Sequence, residues 1–215
     1  RVREELVNTV ADHVIRSQPY IKYLGVLIDS KMTFKHHLES VSEKAVRINN
    51  ALTRLMRKIG SPRASIPRLL LTVTSSVILY AAPIWANMKP SYLQHIRATY
   101  RLGALRVASA YRTVSDDAIH VITGMVPIDL LAVEMYRLHN TIGQKPSNVA
   151  KKEERLRTIE EWQIRWEQSE KGRWTFELIP NIARWIEQKH GEIDFCITQL
   201  LTGHGCFKAY LHRFH

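Results

Sequence analysis

From residue 34 onward the apolar side chains fall at Phe34, Leu38, Val41, Ala45, Ile48, Leu52, Leu55 and Ile59. Steps of four and three keep them on one stripe of an α-helix, because each residue turns about 100°. Lys44, Arg47, Arg54, Arg57 and Lys58 project from the other side. The pattern predicts a long helix, capped by Thr33, with one face that packs and one that meets an anion. Just before it the period shortens. Ile21, Tyr23, Val26 and Ile28 are β-formers in a run broken by Gly25 and closed by Asp29 and Ser30, which predicts a strand ending in a turn.

The flanking segments extend this picture. Val2, Leu6, Val10 and Val14 recur at steps of four, as on a helix, while residues 13–17 alternate like a strand and are expected to pair with 20–29. Gly60, Ser61 and Pro62 end the long helix, and Pro67 suits the first turn of the next. Residues 69–80 are apolar nearly all round, which predicts a helix buried at the centre of a bundle. After breaks at Pro83 and Pro90, Ser91 is placed to cap a helix with Leu93, Ile96, Tyr100, Ala104 and Val107 on one face. Ser115 caps a short helix whose first turn holds Asp116 and Asp117, where negative charge suits the helix dipole, and Gly124 ends it. Pro127 opens another, with Leu131, Met135, Leu138 and Ile142 as its apolar stripe.

The segment GQKPSNV, 143–149, is the most linker-like in the chain. Beyond it, 151–171 mix both signs of charge around Leu156, Ile159, Trp162 and Trp166, as a surface helix does. Residues 180–189 and 192–201 read as two short helices, and Gly203, His204 and Gly205 separate the last of them from 206–215. The fold class expected is mainly α: a short strand pair, a helical bundle, then further helices. No repeat or low-complexity tract interrupts it.

Charge sharpens the expectation. The chain of 215 residues has a net charge of +11 and 45% hydrophobic residues, enough for one large domain or two small ones. No Asp or Glu occurs between Lys44 and Ser115, a window that also carries Arg63, Arg68, Lys89, Arg97, Arg101, Arg106 and Arg112. A phosphate backbone rewards such a field, since each neutralised phosphate releases a counterion. An acidic protein partner is the alternative. Two cysteines, Cys196 and Cys206, make no disulfide framework and point to a reducing intracellular compartment. No apolar run of about 20 residues is present, and Leu69–Trp85 is cut by Pro83, so no membrane span is expected. The chain opens on Arg1 and closes on His215 inside a helical pattern, as a piece of a longer protein does.

Catalytic chemistry is not visible. Asp116 and Asp117 invite a two-metal reading, but such sites need a third carboxylate and a tight hairpin carrying the pair. A helix cap explains them better. His204, Cys206, His212 and His215 fit no four-ligand zinc spacing. Gly-rich phosphate loops, GxSxG and HExxH are all lacking. His36 and His37, in the first helical turn, are expected at the surface. Of Trp85, Trp162, Trp166, Trp174 and Trp185, most are expected in the core rather than stacked on bases.

Four stretches, in order, carry a resemblance: IKYLGVLIDSKMTFKHH, SVILYAAPIWA, RVASAYRTVSDDAIHVITGMVPIDL and LLTGHGCFKAYLHRF. Together they resemble the C-terminal part of the reverse transcriptase of non-LTR (LINE-type) retrotransposons, especially the insect kind. The resemblance implies an RNA-directed DNA polymerase segment divided into the end of the palm (1–33), a thumb-like bundle (34–143) and a helical linker (150–215). It implies that Lys22, Tyr23, Leu24 and Gly25 line a primer grip. It places a template–primer duplex of RNA and DNA on the basic face, with Lys44, Arg47, Arg54, Arg57, Lys58 and Arg63 as contacts. The family's catalytic carboxylates and their Mg2+ lie upstream, so no catalytic residue, metal or cofactor is expected here, and the segment alone is expected to polymerise nothing. Its other partners are the palm and fingers of the same polypeptide. The implied location is the nucleus, after a cytoplasmic ribonucleoprotein stage. A helical protein-interaction module, or a degenerate element relic, is the competing reading.

Overall fold

The computed structural model describes residues 7–10, 13–16, 18–55, 65–188 and 193–204. Two antiparallel ribbons come first: β1 (Val7–Val10) with β2 (His13–Arg16), and β3 (Tyr20–Tyr23) with β4 (Val26–Asp29). Helices follow: α1 (Lys35–Leu55), α2 (Ser65–Ile78), α3 (Ala82–Trp85), α4 (Gln94–Val107), α5 (Asp116–Thr123), α6 (Ile128–Asn140), α7 (Ser147–Gln168), α8 (Arg173–Leu178), α9 (Ile182–Glu187) and α10 (Phe195–Thr202). The mainly α class with short N-terminal strands is as expected. Among the described residues, no single helix is long and apolar enough to cross a membrane.

The strands depart from expectation in their pairing. Val7–Val10 and His13–Arg16 are paired strands rather than part of a helix, because β-branched Val7, Thr9, Val10, Val14 and Ile15 favour extended backbone over a step-of-four pattern, whose Val2 and Leu6 lie outside the described residues. β2 therefore pairs with β1, and 20–29 folds on itself, Tyr20 opposite Asp29 and Tyr23 opposite Val26. Leu24 (φ 44°) and Gly25 (φ 84°) form its two-residue turn. Two successive positive φ values suit the right-handed twist of a tight hairpin, and Gly25 supplies one without steric cost.

The core gathers where α1, α2 and α4 meet. Phe34, Leu38, Val41 and Ala45 of the expected α1 stripe are buried there with Leu71, Ile78, Ile96 and Tyr100. A polar seam runs through it: the Thr74 hydroxyl donates to Asn49 Oδ1 at 2.6 Å, and Ser42 and Thr99 share a hydroxyl bond of 2.9 Å. α2 is not buried all round. Leu69 is 65% and Val73 45% exposed, whereas Thr74 is inside. Hydroxyls of Thr72, Ser75 and Ser76 donate to carbonyls a turn back, so this side of α2 is satisfied without a covering helix.

Two further differences concern α4 and α6. Ser91 lies within a 3-10 turn, Pro90–Leu93, and makes no cap bond, although the stripe Leu93, Ile96, Tyr100, Ala104 and Val107 is buried as expected. On α6 the buried side holds Ile128, Asp129, Ala132 and Glu134, while Met135 and Ile142 of the expected stripe are exposed. Arginines let these carboxylates inside. Arg97 of α4 and Arg165 of α7 reach Asp129 at 2.7 and 2.9 Å, and Arg155 reaches Glu134 at 3.0 Å. Arg137 answers from α6 to Glu154 at 2.6 Å and Glu161 at 2.8 Å. The linker-like segment is thus a turn, with Pro146 at the start of α7 and α7 lying back on α6.

Candidate nucleic-acid interface

The long basic helix begins at a carboxylate rather than at the expected Thr33 cap. Asp29, at the end of β4, accepts N–H groups from Lys31 (3.0 Å), Thr33 (3.0 Å) and Phe34 (2.8 Å) and the Thr33 hydroxyl (3.0 Å). Thr33 Oγ1 meets the Lys35 N–H only at 3.5 Å. Burial works to raise the Asp29 pKa, but the bonds from Thr33, Lys31 and Phe34 outweigh it, and the group titrates below the ordinary 3.8. The loop needs this anchor, since Met32 and Phe34 both hold a φ of 52°.

His37 is buried, contrary to the expectation of a surface site; only His36 is exposed. Its position explains this. Residue 37 sits beside the packing stripe and faces the hairpin, where Nδ1 accepts the Leu27 N–H at 3.5 Å, and the Tyr80 backbone lies close to the ring. Desolvation lowers its pKa below 6.5, and the nearby Tyr80 backbone opposes that only in part. Tyr80 itself donates to the Leu24 carbonyl at 2.7 Å, and its ring covers Gly25. Hairpin, α1 and the end of α2 are thereby fastened together.

What remains outside is the face of β3. Lys22, Tyr23, Leu24 and Gly25 are all exposed, and Ile21 and Tyr23 are each 63% accessible. On α1, Lys44 and Arg47 are exposed as expected, about 14 to 18 Å along the helix from Lys35. The side chain of Arg54, and residues Arg57, Lys58 and Arg63, lie outside the described residues. Nearer the hairpin the helix is of mixed charge: Glu39 pairs with Lys35 (3.8 Å) and His36 (3.7 Å), and Glu43 is exposed.

Four other cations of the acid-free window are bonded within the fold. Arg68 donates to the Thr123 carbonyl, Arg97 to Asp129, Arg101 to the Arg112 and Val114 carbonyls, and Arg106 to the Asn49 carbonyl at 3.2 Å. These four tie helices to one another or, at Arg101, to the loop before α5. One signal was available in the sequence, since Arg97 and Arg101 each adjoin the buried stripe of α4, next to Ile96 and Tyr100.

Asp116 and Asp117 behave as a helix start. Ser115 accepts the Ala118 N–H at 3.3 Å, Asp116 meets His120 at 3.4 Å, and Asp117 accepts the Ser169 hydroxyl at 2.7 Å. Burial would raise the Asp116 pKa, but His120, then Arg165 and Arg101, hold it below 3.8. Among the described residues, no three His, Cys, Asp or Glu side chains are grouped to hold a metal ion, and Cys206, His212 and His215 lie outside them. Trp85, Trp162 and Trp166 are core residues, as expected of most tryptophans, while Trp174 is exposed.

Comparison with known proteins bears on this architecture. The retrovirus-related Pol polyprotein from type-1 retrotransposable element R1 2 of Nasonia vitripennis is 29% identical over 211 residues, 89% of this chain. The R1 Pol polyprotein of Bradysia coprophila is 28% identical over 90% of the chain. The chain's homologues are insect R1 retrotransposon Pol polyproteins. A putative 115 kDa protein in element R1DM of Drosophila melanogaster matches at 28% over 92% of the chain. The chain spans 52% of the length of the first of these relatives and 21% and 22% of the other two. No protein-family model and no solved structure matches it. The non-LTR retrotransposon resemblance of its four motifs is therefore matched by similarity along nearly all of its length.

Proposed function

We propose that this chain is the duplex-holding, thumb-like part of an R1-type Pol polypeptide. The exposed side of α1 contacts the sugar-phosphate backbone of a template–primer duplex. Lys44 and Arg47 begin the contact, and Arg54, Arg57, Lys58 and Arg63 continue it. The β3 face, with Lys22, Tyr23, Leu24 and Gly25, meets the primer end. The observation that supports this most is the one-sidedness of α1: one side is sunk in the core with Leu38 and Ala45, and the other presents Lys44 and Arg47 to solvent. Phosphate contacts position a duplex without reading its bases, so binding is indifferent to sequence.

Nucleotide addition, with its carboxylates and Mg2+, is assigned to other parts of the Pol polypeptide, which also pack against this segment. The working compartment is the nucleus, reached after a cytoplasmic ribonucleoprotein stage. Fluorescence anisotropy on a labelled RNA/DNA primer–template, repeated across salt, tests the reading. Four to six neutralised phosphates give a slope of log affinity on log salt of roughly −4 to −5. The triple change R47E, R54E and K58E weakens binding at least about 10-fold and flattens that slope by about three. Binding indifferent to the triple change would instead support a surface for an acidic protein.

A further inference from the structure

A cleft of about 880 Å³ lies far along the chain from the basic part of α1, between the start of α5, the α7–α8 turn and the end of α10. Its walls include Arg101, Lys171, Arg173, Trp174 and His204. Of the exposed aromatic rings nearby, Trp174 lines the cleft, and Tyr111 and Phe195 stand next to it beside the lining residue His204. Trp174 is 51% exposed, and Tyr111 and Phe195 are 45% exposed. Tyr111 stands edge-on to Phe195 at 6.1 Å and lies 6.4 Å from the His204 ring. We propose that this cleft binds single-stranded nucleic acid, with bases stacked on Trp174 and Tyr111 and phosphates held by Lys171, Arg101 and Arg173.

Three properties favour that ligand. The Trp174 ring is fixed before any ligand arrives, since Nε1 donates to the Leu200 carbonyl at 2.9 Å and the ring lies flush on Gly203, where a Cβ would come within 2.9 Å of it. A preset aromatic face loses little entropy on stacking. The charges also survive their internal bonds: Arg101 donates to the Arg112 and Val114 carbonyls and Arg173 to the Glu167 and Ser169 carbonyls, all neutral acceptors. Four cations of the cleft, Arg101, Arg165, Lys171 and Arg173, face three carboxylates, Asp116, Asp117 and Glu170; Asp117 pairs with Arg165 at 3.5 Å, and Asp116, 3.4 Å from His120, also feels Arg165 and Arg101. Aromatic faces within reach of cations are what a strand with unpaired bases needs, whereas a duplex keeps its base faces covered. The residues are distinct from those of α1, so this inference does not rest on the duplex reading.

The test uses the whole chain and two labelled 12-mers, oligouridylate and oligothymidylate, beside the primer–template duplex. Y111A and W174A each weaken single-strand binding about 5- to 100-fold and leave duplex affinity within about twofold. K171E, an exposed change that touches no core residue, weakens it too and lowers the salt slope by about one. Photocrosslinking of a 5-iodouridine 12-mer, mapped by mass spectrometry, lands on Trp174, Tyr111 or Phe195 in the unaltered chain, so the outcome does not depend on W174A folding. Crosslinks confined to β3 or α1, or single-strand affinity unmoved by Y111A and K171E, overturn the proposal. So does sedimentation showing that this surface pairs two copies of the chain while neither 12-mer binds.

Discussion

Tyr80 donates its hydroxyl proton to the Leu24 carbonyl at 2.7 Å, so the tip of the β3–β4 hairpin is held from the far end of α2. The carbonyl is at the surface, and water can replace the lost donor. Tyr80→Phe therefore costs only about 0.5–1 kcal/mol in urea denaturation. Its larger effect is local: amide exchange at the described hairpin residues speeds up while α4 keeps its protection.

Asp29→Ala is more severe. Three backbone N–H groups and one hydroxyl lose their acceptor at a loop already held at positive φ, which costs about 2–4 kcal/mol. The folded pKa is depressed, so the stabilisation from this group is full above the unfolded value of about 3.9 and is lost as pH falls through the folded value. Urea titrations at pH 7 and pH 3 check this: Asp29→Asn should narrow the difference between the two.

His37 gives the opposite kind of residue the same sign. It is a base whose folded pKa is lowered, so the unfolded chain takes up its proton first as pH falls. Stability is full above about pH 6.5 and declines below it, down to the folded value. Replacing His37 with Gln should remove that slope between pH 7 and 5. Chemical-shift titration of the imidazole in the folded chain gives its midpoint directly, and a value at or above 6.5 would contradict the burial argument.

Asp129 holds Arg97 and Arg165 together from two different helices. Both arginines are about one-third accessible (31% and 32%), so part of the attraction is screened. Asp129→Ala still leaves two cations facing each other across a buried site, and a loss of about 2–3 kcal/mol is expected. A double-mutant cycle with Arg165→Gln should return a coupling of about 1 kcal/mol or more. Additive single effects would mean the pair contributes nothing.

The legible parts of the fold were those set by neighbours in sequence. The stripe from Phe34 to Ala45, the Ser115 cap and the Gly124 stop are local rules, and they hold. What escaped was decided at a distance. Asp129 and Glu134 could not be read as buried, because the arginines that admit them come from α4 and α7. His37 looked like a surface residue until β4 and Tyr80 closed over it. Residues 173–178 carry no stripe and were missed as a helix. For the candidate interface, exposure of Lys44 and Arg47 was legible from periodicity alone, whereas the internal bonds of Arg68 and Arg106 were not, and those of Arg97 and Arg101 were signalled only by their place beside Ile96 and Tyr100.

Those four arginines set a floor on how far the chain can be redesigned. A guanidinium that braces a carbonyl, or in Arg97 a carboxylate, cannot be exchanged for a glutamate, and lysine lacks its planar fork of donors. A library screened for neutral, better-behaved variants would therefore accept changes on the outer side of α1 and reject them at these positions. Among surviving variants, basic character would persist even where every duplex contact on α1 had been erased, and isoelectric point would be a poor proxy for duplex affinity.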